Sequence, residues 1–443
     1  MTVNPSNTAG NPAAVRSNGA DRCRPSNWMY GLAIFMILVI HTIGRIGCYC
    51  SDIRTDSYTY AAFSYRMVHG DVLYRDMSLD KPPAIMVANA PAYLILPASR
   101  WSLIPIETLL MLLGYAAVYL LAREMFGHGP ALIVTVTACV CVNYFSTLDF
   151  TGEGFALAEC YLILPQVGAA MLYRRAMVKR RMGLLVAGGV CLGVCLAAKQ
   201  TALPLFAAVV VHCICHRMIR ERDYGLALAG TVRILLGVVL GLAPFALMVL
   251  IQGTWRLAVG EVTVGAAPML TRETGWPDSW RDVTPLWAPM VWIALSIVLY
   301  CRQHLRRNDD ESGASSQGAL RFDVTFLILW QVLECVLLIY LPRRSYHYYV
   351  LSFIPLILLS GTFWSGLLTL LEGHGRRTRS ALITAMVLWS MASMRPALNE
   401  LIPVSLARWK QFDAQADQDH FEHVVRWENG SLGVNDGKWP GES

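Results

Sequence analysis

The run from Trp28 to Gly47 constrains this chain most: at about 1.5 Å per helical residue it reaches across the roughly 30 Å hydrocarbon core of a bilayer. Comparable apolar runs follow near 103–122, 131–146, 156–173, 183–198, 201–216, 228–251, 285–301, 324–341, 347–368 and 380–395. Backbone polar groups inside lipid must be satisfied within the spanning segment. Each run therefore reads as a helix, and the chain as an all-α polytopic membrane protein of about 11 spans, within a range of about 11–13. Composition agrees, with 55% of residues hydrophobic and 15% charged, whereas soluble domains carry roughly 25% charge. A soluble enzyme is excluded. The 37 basic and 31 acidic residues leave a formal charge of +6. They are dispersed in short clusters between apolar runs, so nucleic acid is not an expected partner. Most of the 12 cysteines lie inside apolar runs as small hydrophobes, without zinc-type spacing.

The first run is too long for the core of a cleaved signal peptide and lacks a small-residue cleavage site, so it is expected to remain as an anchor. Residues 1–27, rich in Asn, Ser, Pro, Gly and Ala, have the composition of a disordered tail. Arg16, Arg22 and Arg24 assign that tail to the cytoplasm by the positive-inside rule. The stretch Pro82 to Pro97 is short and interrupted by Pro91. Kept on the outer face rather than counted as a span, it brings the basic clusters at Arg174–Arg181, Arg217–Arg222, Arg302–Arg307 and Arg376–Arg379 all to the cytoplasm. The expected organisation is a cytoplasmic tail over 1–27, a membrane domain over 28–395 with outer loops at 48–101 and 253–284, and a short outer tail over 396–443. Gly260, Gly265 and Gly275 make the 253–284 loop a candidate lid over the site, with a passive loop as the alternative.

The first outer loop carries the candidate chemistry. From Asp56 onward, Tyr60, Phe63 and Met67 recur at helical spacing, Gly70 stops the pattern, and Tyr74-Arg75-Asp76 and Asp80-Lys81-Pro82-Pro83 lead into the second apolar stretch. Two surface helices joined by a charged turn are expected. The strings Asp56-Ser57-Tyr58-x-Tyr60, Gly70-x-x-x-Tyr74-Arg75-Asp76 and Lys81-Pro82-Pro83 together resemble the first outer loop of the GT-C membrane glycosyltransferases. The resemblance is nearest to the family 39 group, which includes bacterial lipid A aminoarabinose transferases and protein O-mannosyltransferases. Ser57 stands where that group usually has Glu, so one carboxylate of its pair is missing. Gly154 to Glu159 resembles the acidic second outer loop, and Arg343 to Tyr349 with Pro355 resembles the Arg-x-x-His-Tyr segment that opens a late span.

The resemblance implies an inverting transfer of a sugar from an undecaprenyl- or dolichyl-type polyprenyl phosphate to a lipid, glycan or protein acceptor, on the outer face of the cytoplasmic membrane. Polyprenyl phosphate leaves without a general acid, so such a reaction needs chiefly a base for the acceptor hydroxyl and cations for the phosphate. By the resemblance Asp56 is the base and Glu159 a second catalytic carboxylate, while Asp149 and Glu153 compete for that second place. Lys81, Arg343 and Arg344 are then phosphate ligands, and Tyr60, Tyr74, Asp76, Glu153, Lys199, His347 and Tyr348 complete the expected substrate contacts. Plainer roles stand beside these: a helix cap for Asp56, a snorkelling interface lysine for Lys81, an interhelical hydrogen bond for His347. Neither a metal nor a cofactor is assigned, since the lipid-linked sugar is a substrate, and membrane lipids are the remaining partner. Competing functions are a transporter or flippase of lipid-linked or anionic solutes and a ligase-type assembly protein using the same carriers. A transporter places polar residues and broken helices at the midplane, often in repeated halves. Here polar residues collect at the outer border. The tail is too short for a large acceptor-binding domain, which favours a small or lipid acceptor.

Overall fold

The computed structural model describes residues 27–50, 56–77, 81–147, 158–262, 314–340, 347–370 and 395–426, with isolated positions between 378 and 385. The regular structure there is helical, apart from one isolated bridge between Leu73 and Met77. Helix α1 (Asn27–Tyr49) is the first apolar run; α2 (Asp56–Val68) and α3 (Ala84–Tyr93) follow. Next come α4 (Ile104–Phe126), α5 (His128–Thr147), α6 (Ala158–Val178), α7 (Gly183–Ala198), α8 (Leu203–Cys215) and α9 (Tyr224–Ile251). Later in the chain are α10 (Ala314–Tyr340), α11 (His347–Leu370), α12 (Arg395–Gln411) and α13 (Ala414–Arg426).

Among the described residues six helical stretches are long and apolar enough to cross a membrane: Asn27–Tyr49, Arg100–Phe126, His128–Thr147, Gln200–Arg220, Tyr224–Ile251 and Val350–Leu368. The protein is an all-α polytopic membrane protein. The expected span 285–301 and most of 380–395 and of the 253–284 loop lie outside the described residues. Helix α3 has 10 residues, about 15 Å of helix and half of a bilayer core, which makes the Pro82 to Pro97 stretch no spanning helix.

Side-chain character decides where each helix sits. Helix α5 is apolar all round and almost wholly buried, packed by α1, α4, α11 and α12. Helix α9 instead leaves Leu228, Val232, Leu236, Val239, Leu247 and Ile251 exposed along its length, the face of a helix solvated by lipid. Its other face meets α7 through two pairs of glycines four residues apart, Gly189 and Gly193 against Gly237 and Gly241. Such small residues let backbones approach where no hydrophobic force drives helices together. A Cβ on Gly237 would stand 2.8 Å from Gly189 Cα and 2.9 Å from Val190 N, and backbone cannot step aside for it. Gly237→Leu is therefore expected to part α7 from α9 and cost about 1–3 kcal/mol. An unchanged unfolding midpoint in detergent would contradict this packing.

Helix α4 carries a carboxylate at each end, and the two ends organise the bundle. At its C-terminal end Glu124 pairs with Arg174 (3.3 Å) and Arg175, and Arg174 also holds Asp323 at 2.7 Å, tying together α4, α6 and α10. Gly127, at φ 87°, reverses the chain into α5 in a single residue. At the opposite end Glu107 lies in the first turn of α4. The helical body also continues past residue 395, the boundary expected from hydropathy. Leu398, Leu401 and Val404 make a stripe on α12 facing α1 and α5, with Leu401 in the main core. Arg395, Pro396, Pro403, Arg408 and Lys410 dilute the hydropathy of this stretch without disturbing its stripe.

Candidate functional site

Residues 56–77 and 81–101 fold down onto the Glu107 end of the bundle. Tyr58, Tyr60, Phe63, Leu73, Tyr74 and Ile85 from the loop form one apolar cluster with Tyr49 at the end of α1, Tyr161 at the start of α6, Ala198 at the end of α7 and Leu351 near the start of α11. Helix α2 forms because its apolar positions recur at helical spacing, and it ends where Gly70 takes φ 106°. The turn after it is built from charge-assisted bonds. Arg66 pairs with Asp71 at 2.5 Å and donates to the Asp76 carbonyl at 3.2 Å. Asp76 accepts from Arg75 at 2.9 and 2.8 Å and from the Val72 N–H at 2.8 Å. The Arg75 guanidinium first, and then that backbone N–H, hold the Asp76 carboxyl down at about 2. The turn thus keeps these bonds above the ordinary carboxylate range and loses them only as pH falls toward about 2. Tyr74 sits at φ 66°, a strained conformation for a bulky residue, and its hydroxyl donates to the Lys81 carbonyl at 2.8 Å. Lys81 itself is buried at the head of α3.

Beneath the loop, charges are paired inside the protein. Glu159, fully buried in the first turn of α6, pairs with Lys199, which caps the C-terminus of α7 and is itself buried. Glu107 accepts from Arg45 at 2.6 Å and from the Tyr49 hydroxyl at 2.7 Å, and Arg45 also donates to Ser146 at 2.6 Å. The Tyr161 hydroxyl donates to Asn89 of α3 at 2.6 Å. Isolated charges at such depth would be prohibitively costly, and in each of these two pairs the charges balance.

Tyr60, Tyr74, Lys81, Glu159 and Lys199 therefore sit around one end of the bundle, with Asp76 in the turn between them. Asp56 opens α2 and His347 and Tyr348 open α11 at that same end, their side chains lying outside the described ones. Asp149, Glu153, Arg343 and Arg344 lie outside the described residues altogether. Sequence reasoning missed Arg45, Tyr49, Glu107, Asn89 and Ser146. Two signals were available for the charged pair. Glu107 is a carboxylate inside an apolar run, and Arg45 stands at the end of a span where the charge rule disfavours arginine.

No protein-family model and no curated protein matches the chain. Solved structures do. ArnT from Cupriavidus metallidurans, an aminoarabinose transferase with undecaprenyl phosphate bound, superposes with a TM-score of 0.54 at 14% identity, over 89% of this chain and 77% of that one. The oligosaccharyltransferase AglB from Archaeoglobus fulgidus, in complex with an inhibitory peptide and a dolichol-phosphate, gives 0.53 at 12% identity, over 90% of this chain and 60% of its own. The same enzyme tethered to an acceptor peptide also gives 0.53. The chain spans less than two thirds of that second protein. Over most of its length the chain therefore has the fold of these two proteins, that of the GT-C glycosyltransferases.

Proposed function

We propose that the protein is a glycosyltransferase that moves a sugar from a polyprenyl phosphate to an acceptor at the Glu107 end of the bundle, on the outer face of the cytoplasmic membrane. The observation that carries this reading is the convergence, on a GT-C fold, of the loop bearing Asp56 and Lys81 with the buried Glu159 and Lys199. The acceptor hydroxyl oxygen attacks the anomeric carbon, and the bond from that carbon to the phosphate oxygen breaks. Its electron pair leaves with polyprenyl phosphate, and the hydroxyl proton passes to Asp56. One displacement inverts the anomeric centre. Lys81 is a ligand of the donor phosphate, whose charge grows as the bond breaks. The bound undecaprenyl phosphate of ArnT and dolichol-phosphate of AglB support a lipid phosphate as carrier. His347 and Tyr348 at the start of α11, with Arg343 and Arg344 preceding it in the chain, are proposed to complete the donor site, with Glu153 on the acceptor side.

Purified protein in proteoliposomes is expected to release or transfer labelled sugar from undecaprenyl- or dolichyl-phosphate donors. Protein-dependent movement of polyprenyl phosphate between leaflets without any sugar release would overturn the reading in favour of a flippase. Lys81→Ala is expected to raise the Kd for undecaprenyl phosphate by about 10- to 100-fold, the worth of one or two bonds to a charged group. An unchanged Kd would remove Lys81 from the phosphate site.

A further inference from the structure

The C-terminal helix α13 lies against α2, and the contact is built around one carboxylate. Asp417, in the first turn of α13, pairs with Arg100 at 2.9 Å, and both side chains are buried, at 9% and 2% exposure. The same carboxylate accepts from the Tyr58 hydroxyl and, at 3.3 Å, from the Trp101 ring N–H. The Arg100 guanidinium is boxed by three rings, Tyr58 at 5.6 Å, Trp101 at 5.9 Å and Phe412 at 5.4 Å, whose faces attract the cation. One turn along α13, fully buried Phe421 packs on Tyr58 of α2 (5.9 Å) and Tyr93 of α3 (6.4 Å). Gln418 donates to the Ala98 carbonyl at 2.9 Å, and Arg408 of α12 donates to the Gly47 and Thr147 carbonyls at 3.0 and 2.7 Å.

These contacts reach one place in the loop. Tyr58 is two residues from Asp56 in the same helical turn, and it is the α2 residue that meets both Asp417 and Phe421. A helix of 13 residues is too short to hold its orientation alone. It packs against α3, α13 and the turn at Arg100–Leu103.

We infer that Asp417 and Arg100 form a positioning clamp through which α13 fixes the first turn of α2. Resting on the transferase reading above, the clamp thereby sets the distance of Asp56 from the acceptor oxygen. The C-terminal segment is then a working part of the site. A base displaced by about 1 Å costs up to roughly 100-fold in rate without loss of donor contacts.

The test is Asp417→Asn, which keeps one oxygen for Tyr58, replaces the oxygen that accepts from Trp101, and removes the charge that faces Arg100. Two readouts are taken on the full chain in proteoliposomes: steady-state transfer, and amide exchange over residues 56–68. The expected result is a kcat lower by about 10- to 100-fold with the donor KM unchanged, together with faster exchange confined to α2. Asp417→Glu, which restores the charge, is expected to recover most of the rate. If Asp417→Asn does not fold, Phe421→Leu loosens the same contact without unpairing a charge and is expected to change both readouts in the same direction. Unaltered exchange in α2 overturns the clamp, whatever happens to kcat. A wild-type protein that transfers no sugar overturns the transferase reading, while the clamp is then judged on the exchange of α2 alone.

Discussion

Replacing Asp56 by Asn is expected to slow sugar transfer by about 10²–10⁴-fold, the usual cost of losing a general base, with the affinity for undecaprenyl phosphate nearly unchanged. The asymmetry follows from what each group touches on this reading. A base contacts the acceptor hydroxyl and gains a proton only as that oxygen attacks, so its removal acts on the transition state. Asn preserves size and hydrogen bonding but accepts no proton. Initial rates at saturating donor, set beside the Kd of the same variant for undecaprenyl phosphate, check both halves. Near-normal turnover would return Asp56 to the role of a helix cap. A joint loss of rate and affinity would mean that it contacts the donor.

The second large effect is expected beneath the loop. Lys199→Met leaves Glu159 fully buried without its cation, and breaking a buried pair from one side typically costs about 3–5 kcal/mol. The double variant Glu159→Gln with Lys199→Met removes both charges together and is expected to regain most of that loss, since two neutral side chains need no mutual compensation. Unfolding midpoints of the two variants in one detergent give the comparison. Equal midpoints would show that the pair contributes little. The double variant also separates two roles of Lys199. If the lysine contacts the donor phosphate, a stable double variant binds undecaprenyl phosphate weakly; if it only neutralises Glu159, binding is retained.

Most of the helices were legible before any tertiary information, because the length of an apolar run and the spacing within it are local properties. The run Trp28 to Gly47 became α1, the pattern from Asp56 to Met67 became α2, and the Pro-interrupted stretch after Lys81 became the short α3. Helix α12 was harder to read for a local reason of the opposite kind. Its prolines and basic residues mask a sound stripe, and only the presence of α1 and α5 shows where Leu401 goes.

The sequence by itself determined that this is a helical membrane protein, since transfer of apolar side chains from water and backbone hydrogen bonding act on each segment separately. Only the tertiary structure decided which charge answers which. Arg45 meets Glu107 across 62 positions, Lys199 meets Glu159 across 40, and Arg100 meets Asp417 near the other end of the chain. No spacing rule encodes those distances. They arise because each buried charge must find its counter-charge among whatever helix ends the packing brings alongside, and the packing is settled by the faces of many helices at once.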